Sequence, residues 1–394
     1  MEFGIYVHIP YCLQRCRYCD FTTFELRQAP PFSKYLELIL TEIRNRSHWF
    51  QPGPLTSLYF GGGTPSLIPA DHIVSIIQEL ANAGFVLNSS TEATIEINPA
   101  TMDQEKFQTY LEHGINRFSV GGQTFDDRLL KLCGRRHTAQ DTCQTLDILI
   151  SHQTNYSFDL LFALPGQNMD QLERDLAEVM AFNPPHLSAY CLTVPAGHPM
   201  ASGRPPEGHQ VEMFHRIQDK LLESGLKKYE ISNFSQEGRE SKHNLLYWTD
   251  QPYWGIGLSA HSFLHNSAYG TRFWNPSHLK EYERQVQAPE LPENQREELS
   301  LNEALTDYCH TSLRRSQGLI FQSLKEKFGP MTFDLVQARS EKALSLGLLD
   351  KNTSSWRLTR KGEQLSNQVF LDFTFLKTDI DPLTNSSRGS YLLL

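Results

Sequence analysis

Apolar and polar positions switch repeatedly between a period of two and a period near 3.6 over residues 5–224. Ile5–Ile9 reads as a strand, and Ser33–Arg46 reads as a helix with Leu36, Ile39, Leu40 and Ile43 on one face. The same pairing recurs as Leu55–Phe60 with Asp71–Ala83, Thr94–Ile97 with Met102–His113, and Arg117–Val120 with Ala139–Ile150. It continues as Tyr156–Leu161 with Asp170–Ala181 and His186–Leu192 with Gln210–Ser224. Six successive βα units predict an α/β fold with parallel strands and right-handed crossovers, as an open doubly wound sheet or a partial barrel. In either architecture ligands bind at the carboxyl ends of the strands. Each loop that follows a strand is therefore a candidate for the site.

The pattern then changes. From about Ala288 to Gln295, Pro, Glu and Gln replace the apolar periodicity, which predicts a linker. Leu301–Arg315, Gln317–Phe328 and Phe333–Leu346 read as helices, Gly347–Leu349 with Trp356–Leu358 as a hairpin, and Arg360–Val369 as a last helix. These spans predict a domain over residues 1–287, a smaller winged-helix-like domain over 288–376, and a disordered tail over 377–394 rich in Asp, Ser and Asn. A winged helix can read nucleic acid or serve as a cap. Between Arg296 and Phe370 there are 11 Lys or Arg against 9 Asp or Glu, too even a balance for a DNA-reading face, so a cap or docking element is expected.

Composition narrows the class. With 394 residues, 39% of them hydrophobic, the chain reads as a soluble globular protein, and a net charge of −9 argues against nucleic acid as its main partner. Ile5-Tyr6-Val7 begins without a basic, apolar leader, and no apolar run is long enough to span a bilayer, so a cytoplasmic protein without a transmembrane segment is expected. In that compartment the cysteines are reduced, and Cys133, Cys143, Cys191 and Cys309 read mostly as packing residues.

The remaining three thiols carry chemistry. Cys12, Cys16 and Cys19 crowd into one loop directly after the first strand. Thiolates select zinc or an iron–sulfur cluster. A [4Fe–4S] cubane wants four ligands, and three would leave one iron open to a small molecule. A closed Cys3His zinc site with His8 as fourth ligand uses the same inventory. Both readings stand on local chemistry.

Polar groups recur at later strand ends. Gly61-Gly62-Gly63-Thr64-Pro65-Ser66 follows the second strand and has no Walker lysine; its glycines let backbone groups approach a ligand closely. Glu96 and Asn98 end the third strand, Gln123 follows the fourth, Arg135 lies in Gly134-Arg135-Arg136-His137, and Asp159 interrupts an apolar run, where a buried carboxylate needs a partner.

Cys-x3-Cys-x2-Cys with its aromatic flank resembles the signature of the radical S-adenosylmethionine (SAM) superfamily. Tyr6-Val7-His8-Ile9-Pro10-Tyr11-Cys12 and Asp159-Leu160-Leu161-Phe162-Ala163-Leu164-Pro165-Gly166-Gln167 resemble its subgroup of oxygen-independent coproporphyrinogen III oxidases and HemW-type heme chaperones. The resemblance implies a partial (β/α)6 barrel, a [4Fe–4S] cluster on Cys12, Cys16 and Cys19, and SAM held by Tyr6, Tyr18, Gly62, Gly63, Thr64, Glu96, Gln123, Arg135 and Asp159. One departure is Val194-Pro195-Ala196-Gly197, where the family commonly places a Glu. No role for that Glu carries over.

Two features separate the subgroup's members. The oxidases carry a fourth cysteine two positions after the third, and this chain has Phe21 there. His243-Asn244-Leu245-Leu246-Tyr247-Trp248 resembles the His-Asn-x-x-Tyr-Trp motif of the chaperones, as does Tyr253–Ser262. The resemblance therefore implies a protein that binds heme and passes it to acceptor hemoproteins, membrane-associated respiratory ones among them, without coproporphyrinogen dehydrogenase activity. The rivals are the radical oxidase and a zinc-stabilised binding module. Tyr247 and Trp248 suit the flat macrocycle, and His243 is expected to brace a loop rather than ligate iron. Fifteen histidines leave the heme ligand open.

Overall fold

In a computed structural model that describes residues 2–288 and 293–380, the six predicted strands lie side by side and parallel. They are β1 (Gly4–Ile9), β2 (Ser57–Gly62), β3 (Glu92–Ile97), β4 (Arg117–Gln123), β5 (Asn155–Phe162) and β6 (His186–Cys191). The crossover helices are α1 (Phe32–Arg46), α2 (Ala70–Asn82), α3 (Gln104–Glu112), the short α4 (Asp127–Cys133), α5 (Ala139–Ser151), α6 (Met169–Ala181) and α7 (Glu207–Glu223). Local chemistry sets their starts. Thr138 and Asn168 form capping boxes with Asp141 and Gln171, and Asp126 accepts two backbone N–H bonds at the head of α4.

The alternation within each strand divides two environments. Ile5, Val7, Leu58, Phe60, Ile95, Phe118, Val120, Phe158, Leu160 and Leu187 are buried in one large core cluster that also holds the apolar faces of the helices. The residues in opposite phase face the inside of the curved sheet.

The sheet runs further than the sequence pattern indicates. α8 (Lys242–Trp248) leads to a seventh parallel strand beside β1, and antiparallel strands continue from it. Numbered in chain order, β7 (Asn233–Ser235) pairs antiparallel with β6 at the far side, while β8 (Tyr253–Ile256), β9 (His261–Leu264), β10 (Thr271–Trp274) and β11 (Arg296–Glu298) extend from β1. Both ends of the sheet stay open, so the barrel is partial. A buried network fastens this extension: Glu42 of α1 pairs with Arg46 at 2.8 Å and accepts from Gly257 N at 2.9 Å, Asn275 Nδ2 at 2.7 Å and Tyr282 Oη at 2.6 Å.

The C-terminal part has a core of its own around Leu305, Cys309, Val336 and Trp356. It contains α9 (Leu301–Arg314), α10 (Phe321–Phe328), α11 (Pro330–Ser345), α12 (Arg360–Gln364) and α13 (Ser366–Asp372), with β12 (Leu319–Ile320), β13 (Leu349–Lys351) and β14 (Ser355–Leu358) as a small antiparallel sheet. The hairpin is where it is expected. Two helices differ. Residues 317–318 turn the chain and Leu319–Ile320 enter the small sheet instead of a helix, and the last helix breaks at Leu365. Arg314 anchors this part to the barrel, with Nε 2.6 Å from buried Glu230 and its guanidinium 4.7 Å from the Trp248 ring centroid.

The expected linker falls partly on residues 289–292, outside the described residues; Glu293–Gln295 is a single helical turn. The expected disordered tail is corrected at its start, because residues 377–380 are helical and Ile380 packs into the second core. Residues 381–394 lie outside the described residues. Among the described residues no helix is long and apolar enough to cross a membrane.

Candidate functional site

Strand register turns the inward-facing phase into polar rungs. Tyr6 lies beside Tyr59, Tyr59 beside Thr94, and Thr94 beside Arg117; one rung higher, Glu96 lies beside Ser119 and Ser119 beside Ser157; Asp159 lies beside Ser188. All of these except Thr94 line, together with the first-strand loop, a cavity of about 610 Å³ at the carboxyl ends of the strands. All twelve residues anticipated from the sequence line it: Cys12, Cys16 and Cys19; Tyr6, Tyr18, Gly62, Gly63 and Thr64; Glu96, Gln123, Arg135 and Asp159.

The thiols come from one irregular loop held by its neighbours. Arg17 N donates to Cys133 O at 2.9 Å, Leu26 N donates to Cys12 O at 3.0 Å, and Arg15 Nη2 donates to Cys19 O at 2.9 Å. Arg135 Nη1 lies 3.5 Å from Cys16 Sγ, and Thr64 Oγ1 lies 4.0 Å from Cys12 Sγ. Burial pushes the Cys12 thiol up to about 11 and raises that of Cys19. Such thiols ionise when a metal replaces the proton.

The donor set discriminates between the two metal readings. His8 is buried, with Nδ1 3.0 Å from Tyr6 Oη and Nε2 2.8 Å from Thr22 O, so both ring nitrogens are engaged and neither is left for zinc. Among the described residues no three Cys, His, Asp or Glu side chains converge on one ion position. A cubane has no need of such convergence, because each thiolate binds a different iron. Arg135 Nε, buried and without a partner, adds an unspent donor near Cys16.

The glycine run fits tightly against protein. A Cβ on Gly62 would meet the His8 ring at 2.5 Å, and one on Gly63 would meet Tyr11 O at 2.6 Å and Tyr11 N at 2.9 Å. Gly63 N donates to Ile9 O at 2.9 Å and Gly62 N to Glu96 Oε2 at 3.0 Å. The absence of side chains here therefore lets the second-strand end pack on the cysteine loop.

Buried charge concentrates in the same cavity. Glu96 accepts from Tyr59 Oη at 3.0 Å and is pushed up to about 7 by burial and by the charge of Asp159. Asp159, 3.3 Å from Ser119 Oγ, is pushed up to about 6 by burial, against the pull of Ser188 and Arg117. Gln123 stands at φ 68° after a register shift in β4, a left-handed conformation uncommon for a non-glycine residue. Such strain and shifted acidities concentrate where ligands bind.

Sequence reasoning passed over Tyr59, Arg117, Ser119, His186, Ser188 and Tyr190, which also line the cavity. Their signal is the period of two: a polar residue in phase with Glu96 and Asp159 on an otherwise apolar strand faces the same interior.

His243 opens helix α8 and does not sit in a loop. Its ring is 2% exposed, with Nδ1 2.7 Å from Ser57 Oγ and Nε2 2.8 Å from Tyr247 Oη, and it stacks on Tyr59 at 4.9 Å. Burial drives its pKa down to about 3, which keeps it neutral. It braces α8 against β2.

A three-thiol loop at the head of a partial parallel barrel defines the radical SAM class, and the family profile described as Radical SAM superfamily matches residues 6–179. The solved structure of coproporphyrinogen III oxidase (HemN) from Escherichia coli superimposes with a TM-score of 0.82 at 21% identity, over 95% of this chain and 90% of that one, a likeness of fold. Heme chaperone HemW of Bacillus subtilis (strain 168) is 31% identical over 374 residues, 93% of this chain and 97% of the relative. Heme chaperone HemW of Escherichia coli (strain K12) is 28% identical, with 93% and 96% covered. The chain belongs to the HemW family.

Proposed function

We infer that this protein is a heme chaperone that carries a [4Fe–4S] cluster and SAM, binds heme and delivers it to acceptor hemoproteins. The observation that carries the reading is the match to heme chaperones along nearly the whole of both chains. Phe21 supports it, because the fourth thiol that the resemblance assigns to the oxidases is missing at this position.

Cys12, Cys16 and Cys19 would hold the cluster, which would supply an iron with an open position for SAM. Arg135 offers its guanidinium to a carboxylate, and Glu96 and Asp159 offer oxygens to ribose hydroxyls. Tyr6, Tyr18, Gly62, Gly63, Thr64 and Gln123 complete the walls. Residues 1–287 form the cofactor-binding domain and 288–376 a docking cap whose near-neutral face suits protein rather than nucleic acid. Acceptors at the respiratory membrane and a cytoplasmic location belong to the same reading.

The test is anaerobic reconstitution with iron, sulfide and SAM, followed by titration with ferric heme and mixing with an apo-hemoprotein. Heme appearing in the acceptor is expected. A reconstituted protein that binds no heme contradicts the reading.

A further inference from the structure

A second cavity, of about 600 Å³, opens on the other side of the cysteine loop. It lies between the first-strand end, the β8–β10 extension and helix α9, and meets the polar cavity at Tyr6, Asp20, Phe21 and Tyr247. Its volume is in the range of small-molecule and cofactor sites. Part of its wall is aromatic: Tyr247 packs edge-on against Tyr253 with ring centroids 4.6 Å apart, Tyr253 lies 6.4 Å from Phe263, and Trp248 and Phe21 add to this surface. Phe21 is 63% exposed at the rim of this cavity.

Three histidines line this cavity, and two are held by hydrogen bonds to protein. His8 is engaged through both ring nitrogens. His310 has Nε2, the nitrogen remote from its backbone, tied 2.7 Å from Phe370 O. His261 alone among these three has no hydrogen bond to protein among the described residues; its ring is exposed and stacks on Trp274 at 6.0 Å and 25°.

The backbone beneath His261 is fixed. Gly255 approaches so closely that a Cβ there would meet His261 O at 2.1 Å. Ser259 adopts φ 60°, Ser259 N donates to Pro276 O at 2.9 Å, and Asn275 N donates to Ala260 O at 2.9 Å. The Glu42 network clamps the same turn through Gly257 N at 2.9 Å. A rigidly mounted imidazole with a free nitrogen, facing a flat aromatic slot, suits an iron porphyrin.

We propose that the second cavity is the seat of the transported heme and that His261 is its axial ligand. The proposal rests on the heme-carrier reading and assigns that reading its site. Asp20, Asp250 and Asp307 also line the cavity, and Arg272 is already paired with Glu297 at 3.3 Å and with Asp307. The propionates therefore point to solvent, and the apolar edge of the macrocycle points inward. Seated there, the heme rests against Phe21 and Tyr247, two of the three aromatic residues, with Tyr6, common to both cavities.

The experiment is a titration of full-length, cluster-loaded protein with ferric heme, followed by absorption and electron paramagnetic resonance spectra. Wild type is expected to show nitrogen-ligated heme. His261→Ala is expected to lose that signature and to bind heme roughly 10-fold or more weakly, since even outer-shell partners contribute this much to metal affinity. Added imidazole restores the signature, and His261→Cys moves it to that of thiolate ligation, changes that a merely structural role would not produce. The cluster absorbance reports intact folding in each variant. A His261→Ala protein with wild-type affinity and spectrum overturns the ligand assignment and leaves the carrier reading standing. A wild-type protein that binds no heme overturns both.

Discussion

The cavity inside the sheet is lined by Glu96, Asp159, Arg117, Arg135 and three thiols, whereas the cavity beyond Phe21 is walled by Tyr247, Trp248, Tyr253 and Phe263. Burying unpaired charge opposes folding, so the first is stable only where hydrogen bonds, opposite charges or ligands offset desolvation. The second sets those rings beside Asp20, Asp250, Asp307 and Arg272, so it offers a ligand apolar area on one side and charged groups on the other. The difference teaches how one loop serves two kinds of ligand. Its thiols line the charged cavity alone, and Phe21 stands where the two cavities meet.

The strongest way to break the comparison is at the thiols. Cys12→Ala, Cys16→Ala or Cys19→Ala is expected to abolish the cluster, read as loss of stoichiometric iron and sulfide after anaerobic reconstitution. Stoichiometric zinc in wild type, without iron or sulfide, would contradict the account. Next in size is the network that supports the second cavity. Glu42→Ala leaves the buried Arg46 with Asn275 Oδ1 and Gln285 O but without its opposite charge, and is expected to destabilise the protein by about 3–5 kcal/mol, measured by denaturant unfolding. An unchanged unfolding midpoint would show the network to be dispensable.

A smaller effect is expected inside the polar cavity. Glu96→Gln keeps the shape of the site but removes a charged acceptor, so SAM affinity should fall by roughly 10-fold with cluster content unchanged, as for loss of one charge-assisted hydrogen bond. Gly63→Val is a poorer probe, because its side chain strikes the Tyr11 backbone and should lower cluster loading as well. Equal SAM affinity in Glu96→Gln and wild type would place SAM elsewhere.

The smallest effect is on pH dependence. The Glu96 carboxyl titrates near 7 when folded, against 4.5 as its ordinary value, so the folded state holds the extra proton between those values. Its contribution is full below about 4.5 and is lost as the pH rises through about 7. In metal-free protein, Glu96→Gln should therefore flatten the fall in unfolding free energy between these limits. A variant curve parallel to wild type would mean that Glu96 is not perturbed.

Much of this was legible in the chain. Ile5–Ile9 and Phe158–Phe162 announce themselves by β-branched and aromatic runs, and the thiol loop by its spacing. β8 is harder, being short and interrupted by Gly255, whose reason is the close approach of His261. Gly362 also has a tertiary reason, because a Cβ there would meet Leu348 O at 1.9 Å. Arg117 and Ser188 were readable by strand phase alone. The second cavity was not, because Phe21, Tyr247, Phe263 and Ala304 meet only through the packing of distant segments.

The central claim, heme carriage rather than porphyrinogen decarboxylation, is tested most directly by product analysis. Cluster-loaded protein is incubated anaerobically with coproporphyrinogen III, SAM and a reductant. No protoporphyrinogen is expected, while the same preparation loaded with heme should transfer it to an apo-acceptor. Repeated turnover of coproporphyrinogen to protoporphyrinogen would contradict the account.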